Sequence, residues 1–204
     1  MRIRKFENIF IKFINESVKH FKEIGSIAPD SAICVDSIVK SVPFESAELI
    51  LEYGGGSGAV TGEIIRRREP ESTFICFEKN NNFYHSLRQT IKGPNIFVLH
   101  EDVFNSKNVL LSKFNIQVGS VDCIISTLPW SLLDFEELLE KEVLPLLKED
   151  GIFIQYMYSV AFLNGFRLRP ILKKFFTQID LDFVFFNIPP TFVYTCRGNR
   201  SSNK

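Results

Sequence analysis

The residues richest in chemical possibility lie together, Glu52-Tyr-Gly-Gly-Gly-Ser-Gly58. Gly54, Gly56 and Gly58 alternate with other residues. Such glycines let the main chain turn sharply and let a ligand approach the peptide groups closely. An apolar run over 47–53 leads into them and a helical pattern follows, so backbone N–H groups at the helix start can face polar ligand atoms. Glu78 lies 20 residues beyond Gly58, at the end of the next apolar run. A carboxylate there can accept both hydroxyls of a ribose, which fits any adenosine cofactor. Asp102 follows a third such run. A dinucleotide fingerprint would read G-x-G-x-x-G; here the spacing is G-x-G-x-G with an acid two residues earlier, so the glycine that packs helix on strand in NAD enzymes is misplaced. After a fourth apolar run comes Ser126-Thr-Leu-Pro-Trp130. In open α/β sheets ligands bind beyond the carboxyl ends of the strands, so this loop faces the same ligand. An aromatic face such as Trp130 suits an ammonium or sulfonium cation. On their own, Ser126 also reads as a turn or cap residue and Trp130 as core packing at a helix start.

The set of Glu52, the spaced glycines, Glu78 and Asp102 resembles motif I and the following acidic positions of class I S-adenosylmethionine-dependent methyltransferases. The resemblance implies S-adenosylmethionine as cofactor, held by Glu52, Gly54, Gly56, Gly58, Glu78, Asp102, Val103 and Ser126. In it Glu78 takes the ribose, Asp102 lies near the adenine amino group and Val103 lies beside the ring. Ser126-Thr-Leu-Pro-Trp130 resembles the Asn-Leu-Pro-Tyr loop of amino-group methyltransferases, in which a side-chain oxygen and the carbonyl before Pro grip the amine.

From about Gly25 to Arg197 the chain is similar to the bacterial phospholipid N-methyltransferases. Four pieces in order carry this: Gly25-Ser-Ile-Ala-Pro-Asp-Ser31, Ser126-Thr-Leu-Pro129, Gln155-Tyr-Met-Tyr158 and Asn187-Ile-Pro-Pro-Thr-Phe-Val193. Thr127 stands for a Gly of that family, Asp30 for a Ser, and Trp130 for a smaller apolar residue. The resemblance implies methylation of a phospholipid amine such as that of phosphatidylethanolamine, with Ser126, Trp130 and Tyr158 at the reacting centre. A lysine-like amine with pKa ~10.4 costs about 4–5 kcal/mol to deprotonate at pH 7, so a proton acceptor is needed. Tyr156 and Tyr158 are candidates to orient the amine and pass its proton to water. Alternation along a strand is expected to bring only one of them to the site, and the resemblance favours Tyr158. For the headgroup phosphate, Arg167, Arg169, Lys12 and Lys19 are candidates, with a solvated basic face as the alternative.

The elements that must position these residues follow from periodicity. Residues 3–24 read as a helix with Phe6, Ile9, Phe10, Phe13 and Phe21 on one face and a basic flank. This helix fits an interfacial position at a membrane and equally packing on the sheet. A turn over 25–31 precedes a second helix to about 41. Strands over 47–53, 73–78, 96–99, 121–126 and 151–158 alternate with helices over 61–68, 81–91, 106–114 and 132–147. That alternation implies a mostly parallel, Rossmann-like sheet. Runs over 182–188 and 191–196 suggest a C-terminal antiparallel pair. The expected organisation is an N-terminal helical extension (1–45), a cofactor-binding domain (46–197) and a polar tail that frays (198–204).

Composition bounds the rest. The 204 residues carry 24 Lys+Arg against 24 Asp+Glu, and 45% are hydrophobic. This is an ordinary globular balance, so disorder is excluded as the main state. A net charge of zero gives no global pull toward nucleic acid or membrane. That argues against the main rival, an RNA adenine-N6 methyltransferase, which usually adds a basic face or domain. A small-molecule amine remains open as acceptor, and a non-catalytic cofactor-binding protein is disfavoured by the two intact loops. Cys34, Cys76, Cys123 and Cys196 form no C-x-x-C, so zinc and redox pairs are not expected. No apolar stretch approaches the roughly 18–20 residues of a spanning helix, and charges throughout 1–24 leave no signal peptide. The expected location is the cytoplasm.

Overall fold

A computed structural model describes residues 32–158, 162–185 and 190–199, with the backbone alone for 158 and 162–167. The expected helix over 3–24 and the turn after it lie outside the described residues. Helix α1 (Ala32–Val39) is followed by β1 (Leu49–Tyr53), α2 (Ala59–Arg67), β2 (Thr73–Phe77), α3 (Asn81–Thr90), β3 (Ile96–Leu99), α4 (Ser106–Phe114) and β4 (Val121–Ser126). Then come α5 (Phe135–Leu138), β5 (Leu147–Tyr158), α6 (Phe162–Phe175), β6 (Phe176–Val184) and β7 (Thr191–Asn199).

The strands form one seven-stranded sheet in the order β3-β2-β1-β4-β5-β7-β6. The first five run parallel, and β7 is inserted antiparallel between β5 and β6. This is the mostly parallel, Rossmann-like α/β architecture that the alternation implied. Alternate residues of each strand feed two cores. Leu49, Leu51 and Tyr53 of β1 join Ile124, Phe153 and Trp130 on one face. Ile50 joins Cys34, Ile38, Ile125 and Ile154 on the other. The central strands are buried on both faces, which is why they read as unbroken apolar runs. Residues Cys34, Ile38 and Val39 build α1 into the same core as β1 and β7. The order of the strands reverses between β1 and β4. Their carboxyl ends part there, and this is where such sheets bind ligands.

Several boundaries differ from the sequence reading. The single helix expected over 132–147 is three short pieces: a 3-10 turn (Trp130–Leu132), α5 capped by the Asp134 side chain, and a π-helical turn (Leu139–Val143). Pro145 lacks an N–H and ends the helical run. β5 then starts at Leu147 rather than at Gly151. The register against β4 shifts between Val121 and Cys123, which absorbs the Asp150-Gly151 segment. The sequence pattern points to no element over 159–175, yet α6 spans most of it with Pro170 inside. The C-terminal pair is longer than expected, because the polar residues of 176–182 belong to the exposed face of an edge strand. β7 continues through Gly198 and Asn199, whose buried Nδ2 donates to the Leu144 carbonyl at 2.9 Å. The fraying tail therefore loses its first two residues to the strand. Finally, β5 pairs regularly with β7 through Tyr156, Met157 and Tyr158. Residues two apart on a regular strand share a face, so alternation cannot choose between positions 156 and 158.

Candidate functional site

The glycine loop sits at the carboxyl end of β1. Gly54 and Gly58 have φ of 87° and 86°, in the left-handed region that disfavours side chains. A Cβ at Gly54 would meet Leu128 Cδ2 at 2.8 Å, so the glycine lets the two loops touch. A Cβ at Gly56 would project into space, with only the Gly54 carbonyl at 4.0 Å among the described residues. The loop is thus open on the side where a ligand would lie.

The carboxylates are arranged around it. Glu52 is fully buried, and its Oε2 accepts from the Thr61 hydroxyl at 2.6 Å. Its Oε1 has no hydrogen-bond partner among the described residues. Burial pushes the Glu52 carboxyl up to about 7, against the Thr61 and Cys76 hydrogen bonds and helped by the charge of Glu78. Glu78 accepts from the Gly56 amide at 2.9 Å and from the Asn80 amide at 2.6 Å. Burial raises this carboxyl too, opposed by those same amides. Asp102 accepts from the Phe104 amide at 3.1 Å and pairs with Lys79 Nζ at 2.6 Å. Val103, beside it, is buried in the core. The phenol of Tyr53 donates to Ser106 Oγ at 2.7 Å, and Ser106 donates to Glu142 Oε2 at 2.9 Å. That buried chain ties β1 to α4 and to the π turn beneath the loop.

The acceptor loop faces the glycines. Thr127 donates its amide to the Tyr53 carbonyl at 3.1 Å and its hydroxyl to the Gly54 carbonyl, so the two loops are bonded to each other. Ser126 is fully buried, and its Oγ has no hydrogen-bond partner among the described residues. Trp130 is buried and meets Phe135 in a T-shaped contact, centroids 6.2 Å apart. The side chain of Tyr158 lies outside the described residues. Tyr156 packs in the core on the other face from Ser126. Gln155, registered beside Ser126, donates Nε2 to the Leu128 carbonyl at 3.0 Å and to the Tyr156 carbonyl at 2.7 Å.

The structure therefore brings Glu52, Gly54, Gly56, Gly58, Glu78, Asp102, Val103 and Ser126 to the carboxyl ends of four neighbouring parallel strands. An open glycine cradle, carboxylates at the ends of β1, β2 and β3, and a buried carboxylate oxygen without a partner suit an adenosine-type cofactor. Sequence reasoning passed over Thr61, Lys79 and Gln155 as contributors. Gln155 alone carried a signal, as an amide inside the apolar run Ile152-Phe-Ile-Gln-Tyr. Among the described residues, no cluster of His, Cys, Asp or Glu is placed to hold a metal.

No family model matches the chain. It is 27% identical over 198 residues to the ornithine lipid N-methyltransferase of Singulisphaera acidiphila, covering 95% of this chain and 98% of that protein. It is 25% identical over 123 residues to the ribosomal RNA small subunit methyltransferase A of Ureaplasma urealyticum, covering 59% of this chain and 43% of that protein. The precorrin-6y C5,15-methyltransferase of Geobacter metallireducens has the same fold, with a TM-score of 0.62 at 13% identity over 84% of this chain and 91% of that one.

Proposed function

The chain is a class I S-adenosylmethionine-dependent methyltransferase, and from that premise we propose that it methylates the amine of a lipid headgroup, such as that of phosphatidylethanolamine. The observation that carries this reading is the bonded pair of loops. One is a glycine cradle with flanking carboxylates. The other is a Ser-Thr-Leu-Pro-Trp loop joined to it through Thr127. Similarity to an ornithine lipid N-methyltransferase over nearly the whole of both chains supports a lipid amine as acceptor.

S-adenosylmethionine supplies a methyl group on a sulfonium, which an amine lone pair takes while the C–S electrons stay on sulfur. The chain's own residues hold and align. We assign the main chain at Gly54, Gly56 and Gly58 to the cofactor's polar atoms, Glu78 to its ribose, Asp102 to its adenine amino group and Val103 to the ring. Glu52 lies behind the loop as a buried acceptor. Ser126 and the Leu128 carbonyl orient the amine, the Trp130 ring walls the acceptor pocket, and the amine's proton passes to water. Alignment of this kind accounts for much of the rate in bimolecular transfers. The catalytic unit is 46–197, and the basic residues Arg167 and Arg169 of α6 serve a lipid phosphate. Among the described residues no helix is long and apolar enough to cross a membrane, so contact with lipid is peripheral in this reading.

A second reading, adenine-N6 methylation of ribosomal RNA, is favoured by the Leu128-Pro129-Trp130 loop and by the likeness to a ribosomal RNA methyltransferase. The chain spans under half of that relative's length. A labelled-methyl assay separates the two, using vesicles of phosphatidylethanolamine or ornithine lipid beside ribosomal RNA and small amines. Label in lipid is expected, and label in RNA alone would replace the first reading by the second.

A further inference from the structure

We propose that Gln155 positions the methyl acceptor: it holds the Leu128 carbonyl in place and, beside Ser126, presents an oxygen to an amine N–H. This rests on the methyltransferase reading above and deepens it by naming what makes the site one for nitrogen.

Gln155 is fully buried in the central part of the sheet. A buried amide without partners costs about 1–3 kcal/mol, so a packed apolar strand holds one only where it is used. Both neighbours of its nitrogen are carbonyls, those of Leu128 and Tyr156. A carbonyl can only accept, so the NH2 end must face them and the amide oxygen is turned away. That Oε1 has no hydrogen-bond partner among the described residues. Gln155 is registered with Ser126 on the adjacent parallel strand, so the two side chains share a face of the sheet. Ser126 Oγ likewise has no partner there. The Leu128 carbonyl, one lone pair given to Gln155, keeps a second. Ser126 and Gln155 thus place two uncharged, unpartnered side-chain oxygens side by side on one face of the sheet, next to the Leu128 carbonyl that Gln155 holds.

Uncharged oxygens suit the chemistry. A neutral primary amine has two N–H donors and one lone pair. Fixing both N–H groups on oxygens fixes the direction of the lone pair. A carboxylate in the same place would favour the ammonium form, whose lone pair is blocked by a proton. Glu52 is kept out of this role because it lies on the opposite face, against Thr61.

Gln155→Met keeps length and bulk but removes both the donor and the oxygen. The full chain is compared as wild type, Gln155→Met, Ser126→Ala and the double variant. Calorimetry gives S-adenosylmethionine affinity, and vesicles containing the lipid amine give methylation kinetics. A positioning role predicts cofactor affinity within about threefold of wild type and kcat down about 100-fold, with the lipid KM little changed. The double variant should fall no more than about threefold below the worse single one, because the two residues act as a unit. Wild-type kcat in Gln155→Met, loss of cofactor binding together with kcat, or multiplicative losses in the double variant would each overturn the proposal. If Gln155→Met does not fold, Gln155→Glu replaces it: it keeps length and an oxygen but cannot donate to the two carbonyls when ionised, and the same loss of kcat is expected. A wild-type protein that labels only RNA or small amines defeats the lipid reading, not this one, and the variants are then compared on that acceptor.

Discussion

The two halves of the site are built differently. On the glycine side every carboxylate is engaged through at least one oxygen: Glu78 by two amides, Asp102 by Lys79 and an amide, Glu52 by Thr61, although Glu52 Oε1 has no partner among the described residues. On the acceptor side Ser126 Oγ and Gln155 Oε1 have no partners among the described residues. The difference follows the cost of burial. A buried carboxylate with nothing to bond costs several kcal/mol, whereas a hydroxyl or amide oxygen costs about 1–3. A buried carboxylate therefore needs at least one bonded oxygen before a ligand arrives, as Glu52 has in Thr61, and neutral oxygens can wait for one. In the proposed reading the cofactor half is largely preformed, and the acceptor half is completed when an amine binds.

That contrast makes graded claims. The largest effect belongs to Gly54→Val, which forces a branched side chain into positive φ and against Leu128. S-adenosylmethionine binding measured by calorimetry should fall by at least about 100-fold. Glu78→Gln keeps the shape but loses the charge that two amides and a ribose would share. The expected loss of cofactor affinity is about 10–30-fold, with the fold intact by circular dichroism. If Glu78→Gln binds as wild type, the preformed half is not built on charge.

A smaller effect separates binding from alignment. Thr127→Val removes the hydroxyl that joins the two loops. It should lower kcat about tenfold while leaving cofactor affinity within about threefold. Equal losses in both would mean that the halves are a single unit.

The pH dependence of stability tests Glu52. Its folded carboxyl sits at about 7 against an ordinary 4.5. The folded state therefore holds a proton that the unfolded state has released, and stability falls as pH rises from about 4.5 to about 7. Thermal melts of Glu52→Gln should lack that part of the decline. The Tm of the variant relative to wild type should rise from pH 4.5 to pH 7.5, and a constant difference would show that Glu52 does not titrate there. The smallest effect is peripheral: reversing Arg167 and Arg169 to Glu should weaken binding to anionic vesicles a few-fold in co-sedimentation, without changing cofactor affinity.

The alternation of strand and helix, and the acids at the ends of β1, β2 and β3, were legible in the chain. Each is a local pattern: periodicity for the elements, and glycine where the backbone must turn with positive φ. The reading of 132–147 as one helix failed because its leucine spacing suits a single helix, while Pro145 and the π turn set where it breaks. The helix α6 was hidden by Pro170 and by a basic composition that also suits a loop.

Pairings across the sheet were not legible at all. Gln155 meets the Leu128 carbonyl 27 residues away, Lys79 meets Asp102 across 23, and Thr127 meets Gly54 across 73. Nothing in residue type or spacing specifies such partners, because they depend on the strand order β3-β2-β1-β4-β5 and on its register. Residue types and their short-range spacing therefore settled that the loop suits an adenosine cofactor, and the resemblance named which one. The packing of distant strands settled which polar atoms are bonded, and which are left for an acceptor.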